Sequence, residues 1–574
     1  MHKVSKAYSD SMKSSLRERG YIKLTFGLIN REAQSHATLR PADLIEYANT
    51  EDLFSEEPQI KNYATLEENY AKVDGNMYFL PREGSDAAYY NAGLVSSKLV
   101  TESEFSITVD LNIIPVDFKG LTIDFGDNYP VDFDITTDSG STKQYRGNTQ
   151  GVFVTEDVFE RTSGITLTVY AMKHPHNRVR IRSIQFGYGL VYRNEAVLSS
   201  TLDSHISPIG TEIPQINFSV TVKNYDKYFD VDNPTSAIHF FETGQLMDIH
   251  YGYQLPNGGG IEWIPGNRLL CAEWEADGAT ATIRCQDVFR NMDTEYYFGT
   301  YNAAGVSYYD LAVDVLRVAG VTDYVIADRL KTLYTKNPLP RVKCKEALQI
   351  IANACRCILT QTREGVVEIK TDAEVTDFTM TKADMTTSPK AIKTEVAKEV
   401  IVPCYSYQAG TEQSVVVDEE IEVEAGESVT FYTEEAAHDY STTVGTITES
   451  GSYYVTIKFP SAGTFRVSIK GYRYTVTERQ VRVTLRERGK TVRWENPLVS
   501  DIDMARDLAQ WIGGYHTASV EYEYSTRGNP EIDVMDVIYQ DNDFREGMQV
   551  IVYKSKLNFN QAFSGEVAVR RLGD

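Results

Sequence analysis

Along most of this chain, apolar and polar residues alternate in short runs bounded by Gly, Asn, Asp and Pro. YIKLTFGLI (21–29), FSITVDLNII (105–114), ITLTVYAM (165–172) and INFSVTVKN (216–224) are four such runs. LMDIHYGYQL (246–255), ATIRCQDV (281–288) and YYVTIKF (453–459) are three more. Successive side chains of a strand point to opposite faces, so this period of two predicts half-buried strands. Many short strands separated by turn signals predict sandwiches and barrels, and the expected fold class is mainly β.

Three stretches change period. In VSYYDLAVDVLRVAG, Ser307 and Asp310 form a capping box, Tyr308, Leu311, Ala312, Val315, Leu316 and Ala319 follow helical spacing, and Gly320 supplies a stop. In KCKEALQIIANAC, residues Cys344, Ala347, Leu348, Ile351, Ala352 and Cys355 share one face, and CILTQTREGVVEIK then predicts a hairpin turning at Glu364-Gly365. SDIDMARDLAQWIGGY predicts a third helix capped by Ser500 and Asp503, with Met504, Leu508, Trp511 and Ile512 as its stripe and Gly513-Gly514 as its terminator.

These changes of texture divide the chain into several domains, as its 574 residues require. Residues 1–60 are expected to form an N-terminal arm carrying a strand, and 61–195 a jelly-roll-like β-sandwich. A β-barrel is expected over 196–300 and a small α/β unit over 301–370. A second β segment covers 371–495 and holds an Ig-like insertion at about 412–485, from EEIEVEAGESVTFYT through GSYYVTIKFPSAGTFRVSIKGYRY. A helix-led β domain occupies 496–574.

Composition then excludes several functions. The 57 Lys and Arg against 81 Asp and Glu leave a formal charge of −24, and no long basic run reverses it. Such a surface repels phosphate backbones, so specific nucleic-acid binding is not expected. Passive passage of DNA past an acidic wall is compatible with it. The N-terminus has no apolar core of signal-peptide length and no run of about 18 apolar residues occurs, so synthesis in the cytoplasm without membrane insertion is expected. The six cysteines, scattered from Cys271 to Cys404, lack zinc-knuckle spacing and are expected as free thiols.

No phosphate-binding loop, dinucleotide fingerprint, nucleophile elbow or paired-His zinc helix occurs, and no catalytic residue, cofactor or metal is expected. His174-Pro-His176 has no third ligand at a matching spacing. NYDKYFDVDNP offers Asn224, Asp226, Asp230, Asp232 and Asn233, but its spacing fails the calcium-loop pattern, and a turn built on Asx side chains explains it better. Tyr89-Tyr90, in the 61–195 segment, are candidates for stacking on a sugar ring.

RGNPEIDVMDVI (527–538) crowds Glu531, Asp533 and Asp536 into one short stretch. Pro530 argues against a helix, and strand periodicity would put Glu531 and Asp533 on one face and Asp536 on the other. Three acids that cannot converge make a poor metal cage, so a solvated strand edge is the expectation.

From Ser199 onward, the order of features resembles that of tailed-phage baseplate and tail-tip hub proteins. The resemblance is carried by DSHISPIGTEIPQINFSVTVKNYDKYFDVDNP, GQLMDIHYGYQL, IEWIPGNRLLCAEWEADGATATIRCQDVF, SYYDLAVDVLRVAGV, NPLPRVKCKEALQIIANACRCILTQTREGVVEIK and DLAQWIGGYHTASVEYEYSTRGNPEIDVMDVI. Earlier, SKAYSDSMKSSLRERGYIKLTFGLINREAQ and GLTIDFGDNYPVDFDI are similar to tail proteins of prophages from Gram-positive gut bacteria. In that family the last piece, with Trp511, Arg527, Gly528, Pro530, Glu531 and Asp536 in the matching places, is barrel scaffolding.

The resemblance implies a virion structural protein, assembled in the host cytoplasm, that has no enzymatic activity. It implies a ring, expected to be a homotrimer, whose barrels continue the tail tube and meet tail tube or distal tail proteins. A spike or fibre protein is the expected partner on the far side, and DNA would pass through the centre. The alternative is a receptor- or glycan-binding tail component that meets a host-surface glycan through the 61–195 sandwich or the Ig-like insertion.

Overall fold

The computed structural model describes all residues except 30, 46–47, 55–92, 101–103, 211, 226, 228, 231, 233–243, 257–258, 372–374, 518–519 and 573–574. Two compact units emerge, one of Met1–Leu24 with Tyr192–Asp574 and one of Thr25–Val191. Both are mainly β, as the alternation predicts. All seven alternating runs quoted above form strands.

In the Thr25–Val191 unit, Thr38–Leu39, Phe105–Asp110, Gly164–Met172, Pro130–Thr137 and Thr142–Tyr145 form a five-stranded antiparallel sheet in that order. Val116–Asp124 pairs with both Ser183–Gln185 and Val152–Thr162 in a three-stranded sheet. Phe133 and Ile107 of the first sheet and Phe118 and Phe159 of the second belong to one buried core. Thr38–Leu39 thus brings residues expected in the N-terminal arm into this unit's sheet.

The larger unit is organised by a 13-stranded sheet. From the strand that begins at Gly20, its order runs through Leu246–Gln254, Ile261–Ala276, Thr280–Gln286, Gln215–Lys223, Val197–His205, Met548–Phe559, Phe563–Arg571, Val520–Thr526 and Lys390–Lys393. Val537–Gln540 also pairs with Met548–Phe559 and, in parallel, with Val375–Met380. The junction of Val197–His205 with Met548–Phe559 joins the strands of the 196–300 and 496–574 segments in one sheet.

The small α/β unit follows the sequence closely. Ser307 caps the helix Tyr308–Val318 by accepting from the Asp310 amide, and Gly320 follows at φ +73. Helix Cys344–Ala354 packs beside it, and Ile358–Gln361 pairs with Val367–Lys370 around Gly365, whose φ is +78. Tyr324–Ile326 adds to that hairpin in parallel.

Ala397–Gln408 and Thr475–Thr484 form a ten-pair antiparallel ribbon that carries a sandwich between its ends. The sandwich has two three-stranded sheets. One contains Gln413–Val423, Gly463–Arg473 and Ala437–Thr442; the other contains Ser428–Tyr432, Tyr454–Lys458 and Thr446–Ser450. The strands of this sandwich end at Arg473, and Thr475 onward belongs to the ribbon.

Helix Ile502–Thr517 packs on this ribbon through Ala505, Leu508, Ala509 and Ile512 against Val400, Val402 and Trp494. Two of its expected signals are corrected. The cap is Asp501, whose carboxylate accepts from the Asp503 and Met504 amides at 2.9 and 3.0 Å; it is not made by Ser500 and Asp503. Gly513-Gly514 does not end the helix, which continues to Thr517. Gly513 is buried, and a Cβ on it would lie 2.8 Å from a Leu485 methyl, so close packing explains this glycine.

Candidate functional site

The strand Val520–Thr526 leads directly into the stretch that carries the motif residues. Gly528 follows at φ +70, where a side chain is strained, and a Cβ on it would lie 2.8 Å from the Ser564 nitrogen. Asn529 makes an Asx turn: its Oδ1 accepts from the Glu531 amide at 3.1 Å, and its Nδ2 donates to the Glu531 carboxylate at 3.2 Å. Residues 527–536 run through turns and bends, and pairing resumes at Val537–Gln540.

This overturns the expected solvated strand edge. Period-two reasoning requires extended backbone, and a positive-φ glycine, the Asx turn and Met535 at φ +72 all break it. Glu531 is 2% exposed and Asp536 8%, so two of the three acids lie inside the protein. Burial raises the pKa of both carboxyls. The Asn529 bond opposes the rise at Glu531; at Asp536 the neighbouring Asp533 adds to it and the Met1 ammonium opposes it.

Three distant segments converge on the turn. From the N-terminal segment, Arg17 donates to the carbonyls of Arg527 and Gly528, each at 2.6 Å, and through Nε to the Met12 carbonyl at 2.8 Å. Arg527 in return donates to the Ser14 and Ser15 carbonyls at 2.7 and 3.2 Å. The His2 amide donates to the Glu531 carbonyl at 2.9 Å, and the Met1 ammonium pairs with Asp536. The helix Lys6–Met12 is capped by Ser5, and its buried Tyr8 meets Tyr253 edge-on at 5.4 Å. The N-terminal segment is thereby seated against a central strand.

From the α/β unit comes Arg363, in the turn of the hairpin. Its side chain is 11% exposed, and it holds the Asp533 carboxylate, the Pro530 carbonyl at 2.8 Å and the Pro265 carbonyl at 2.6 Å. Its own carbonyl accepts from the Arg268 amide at 2.8 Å, and Arg268 forms a two-pronged ion pair with Asp248 at 2.6 and 2.8 Å. The third segment is the C-terminal sheet: the Val552 amide donates to the Asp536 carbonyl at 2.9 Å. A cavity of about 240 Å³ remains between Tyr251, Asn267, Gln361, Arg363 and Asp533.

Buried carboxyls with raised pKa can serve as general acids, but a reaction also requires access to substrate. Glu531 is enclosed and bonded to Asn529, while Asp533 and Asp536 line the cavity. What the arrangement can do is fix three segments of backbone to one another. Among the described residues, no group of three or more His, Cys, Asp or Glu is placed to hold a metal ion, and no helix is long and apolar enough to cross a membrane.

The structure brings Arg527, Gly528, Pro530, Glu531 and Asp536 into one turn but places Trp511 in another core. Trp511 is half-buried on the helix Ile502–Thr517 and packs with the ribbon. Tyr89 and Tyr90 lie outside the described residues. Asn224 has the turn role expected of it, accepting from the Phe229 amide at 2.8 Å and donating to the Asp277 carbonyl at 3.0 Å. Sequence reasoning missed Arg17 and Arg363. Their partners lie 510 and 170 positions away, and a lone arginine in a loop carries no local mark of such a role.

No protein-family model matches the chain, and no curated protein matches it. Among solved structures, it is similar to the 43 kDa tail protein of prophage MuSo2 from Shewanella oneidensis, with 11% identity and a TM-score of 0.36 over 66% of this chain and 94% of that one. A tail protein from Neisseria meningitidis MC58 gives 9% identity and a TM-score of 0.36, over 66% and 93% of the two chains. Prophage tail protein gp18 from Listeria monocytogenes EGD-e gives 8% and 0.36, over 67% and 91%. Likeness of this degree carries no function across to this chain.

Proposed function

We propose that this protein is a structural hub of a phage tail tip or baseplate, acting by assembly and not by catalysis. The observation that supports this best is the Arg527–Asp536 turn. It buries Glu531 and Asp536, and it ties the N-terminal segment, the α/β hairpin and the C-terminal strands together. A part that transmits load between neighbours needs such cross-linking. The motif order from Ser199 onward, which resembles hub proteins, supports the same reading.

In this proposal three copies form a ring that continues the tail tube, meets tube or distal tail proteins on one side and holds a spike or fibre on the other. The net charge of −24 gives a lumen that repels passing DNA. A closed ring would also cover strand edges that a single copy leaves open, such as that of Lys390–Lys393. The site of action is the virion tail, and assembly takes place in the host cytoplasm.

Light scattering and electron imaging of the purified chain across concentration, alone and with its tail neighbours, test the proposal. A ring with a central opening and threefold or sixfold symmetry is expected. A compact monomer under every condition would overturn the reading.

A further inference from the structure

Cys271 and Cys285 sit directly opposite each other on the antiparallel strands Ile261–Ala276 and Thr280–Gln286. Both are buried, at 5% and 1% exposure, and their sulfurs lie 3.6 Å apart. The backbone explains the closeness. The Cys271 amide donates to the Gln245 carbonyl at 2.7 Å, and the Cys271 carbonyl accepts from the Gly244 amide at 2.8 Å. Both polar groups of Cys271 thus face away from Cys285.

The two cysteines are therefore a non-hydrogen-bonded pair, the kind whose Cα atoms approach to about 4.5 Å and whose side chains lie closest. That separation falls within the range of about 4.4–6.8 Å that a disulfide spans. Closing the sulfurs from 3.6 Å to about 2.05 Å is a matter of side-chain rotation, with the register already set. Ala272, just beyond Cys271, occupies a bulge where the ladder shifts, which gives that strand local freedom. Cys285 also lines a surface groove of about 320 Å³ with Ser219, Ala272 and Arg284, which gives a small oxidant a route to this cysteine.

We propose that Cys271 and Cys285 are a disulfide site, reduced in the cell and closed by hydrogen peroxide once the protein meets oxidising surroundings. One thiolate attacks the peroxide O–O bond, leaving a sulfenic acid on that cysteine and releasing the other oxygen as water after protonation. The second thiolate attacks the sulfenic sulfur, the S–S bond forms, and the hydroxide that leaves takes up a proton to become a second water. Two thiols are oxidised by two electrons in total, and one peroxide is reduced. The bond would pin the hairpin 261–286 at the middle of the large sheet. The geometry stands whether or not the chain is a tail hub.

The test treats the folded, full-length chain with hydrogen peroxide, blocks the remaining thiols by alkylation in denaturant and maps peptides by mass. A cross-linked pair containing Cys271 and Cys285, lighter by two hydrogens and released by reductant, is expected. Cys344, Cys355, Cys357 and Cys404 should remain alkylatable. A closed bond should also raise the midpoint of thermal unfolding, and reductant should reverse that rise. Alkylation of both cysteines after treatment, separate conversion to sulfinic acids, or a link formed only when peroxide acts on unfolded chain would each overturn the proposal.

Discussion

In the sandwich of residues 413–473, cohesion is apolar and the partners are near in sequence. Val423, Phe431, Val455, Ile457, Phe459, Val467 and Ile469 form its core from one continuous stretch. At the Arg527–Asp536 turn, cohesion is largely polar and the partners are remote, since Arg17 and Arg363 arrive from other parts of the chain. The sandwich meets its neighbours at a small seam, where Tyr297 packs edge-on against Tyr432 at 5.0 Å and Tyr454 at 5.2 Å, and the Ser452 amide donates to the Gly299 carbonyl at 2.9 Å. The turn instead has strands and hairpins converging on it. A local apolar module can fail alone, whereas a non-local polar junction fails together with everything it joins.

The largest effect should come from Arg363→Ala. It leaves the partly exposed Asp533 and the carbonyls of Pro265 and Pro530 without their donor, and at about 1–3 kcal/mol for each acceptor left unsatisfied the loss is about 3–5 kcal/mol. Chemical denaturation should show the whole Tyr192–Asp574 sheet unfolding earlier. If the transition of that sheet stayed in place, the junction would be decorative.

Ile457→Ala comes next, at about 3 kcal/mol for a fully buried isoleucine. Its effect should appear as an early separate transition of the sandwich, read by hydrogen exchange, with protection of the large sheet unchanged. A single cooperative shift of both regions would show that the sandwich and the large sheet unfold as one unit.

Gly528→Ala should cost about 2 kcal/mol, because the new methyl meets the Ser564 backbone and the residue must keep φ +70. The loss should register in the same transition as Arg363→Ala, and the two changes together should cost less than their sum if they disrupt one unit.

A smaller, pH-dependent effect is expected at the end of the helix that packs on the ribbon. Burial, with Arg570 and Lys490 nearby, holds the His516 imidazole down at about 4. The folded value lies below the unfolded one of about 6.5, so the unfolded chain takes up the proton first. Stability is complete above about 6.5 and declines as pH falls toward 4, by on the order of 1 kcal/mol at this half-buried site. Thermal melts between pH 7 and 4 should show this component, and His516→Gln should remove it.

The smallest effect on the large sheet should follow excision of the sandwich. Gln408 and Thr475 are cross-strand partners, so a two-residue Asn-Gly turn can join them in place of the intervening residues. The shortened chain should fold with the large sheet's unfolding midpoint moved by less than about 1 kcal/mol. Loss of folding would show that the aromatic seam at Tyr297 is part of the junction.

Much of this architecture was legible in the chain. The alternation located the strands, Ser307 and Gly320 marked both ends of one helix, and Glu364-Gly365 marked the hairpin turn, because each depends on residues within a few positions. Reading failed where two local signals competed or where a tertiary contact intervened. Asp501 outcompeted Ser500 as the cap. Gly513 resembled a stop, although its purpose is to admit Leu485.

The sequence by itself determined that the protein is mainly β, with short amphipathic strands, a small α/β unit and an inserted sandwich, because periodicity is a local property of the backbone. Tertiary structure alone decided that strands from both ends of the larger unit share one sheet and that Glu531 and Asp536 are buried in a turn. It also decided that Arg363 is the residue that holds this turn. Those outcomes depend on which distant backbone groups must be hydrogen-bonded once water is excluded, and no short window of sequence contains both partners.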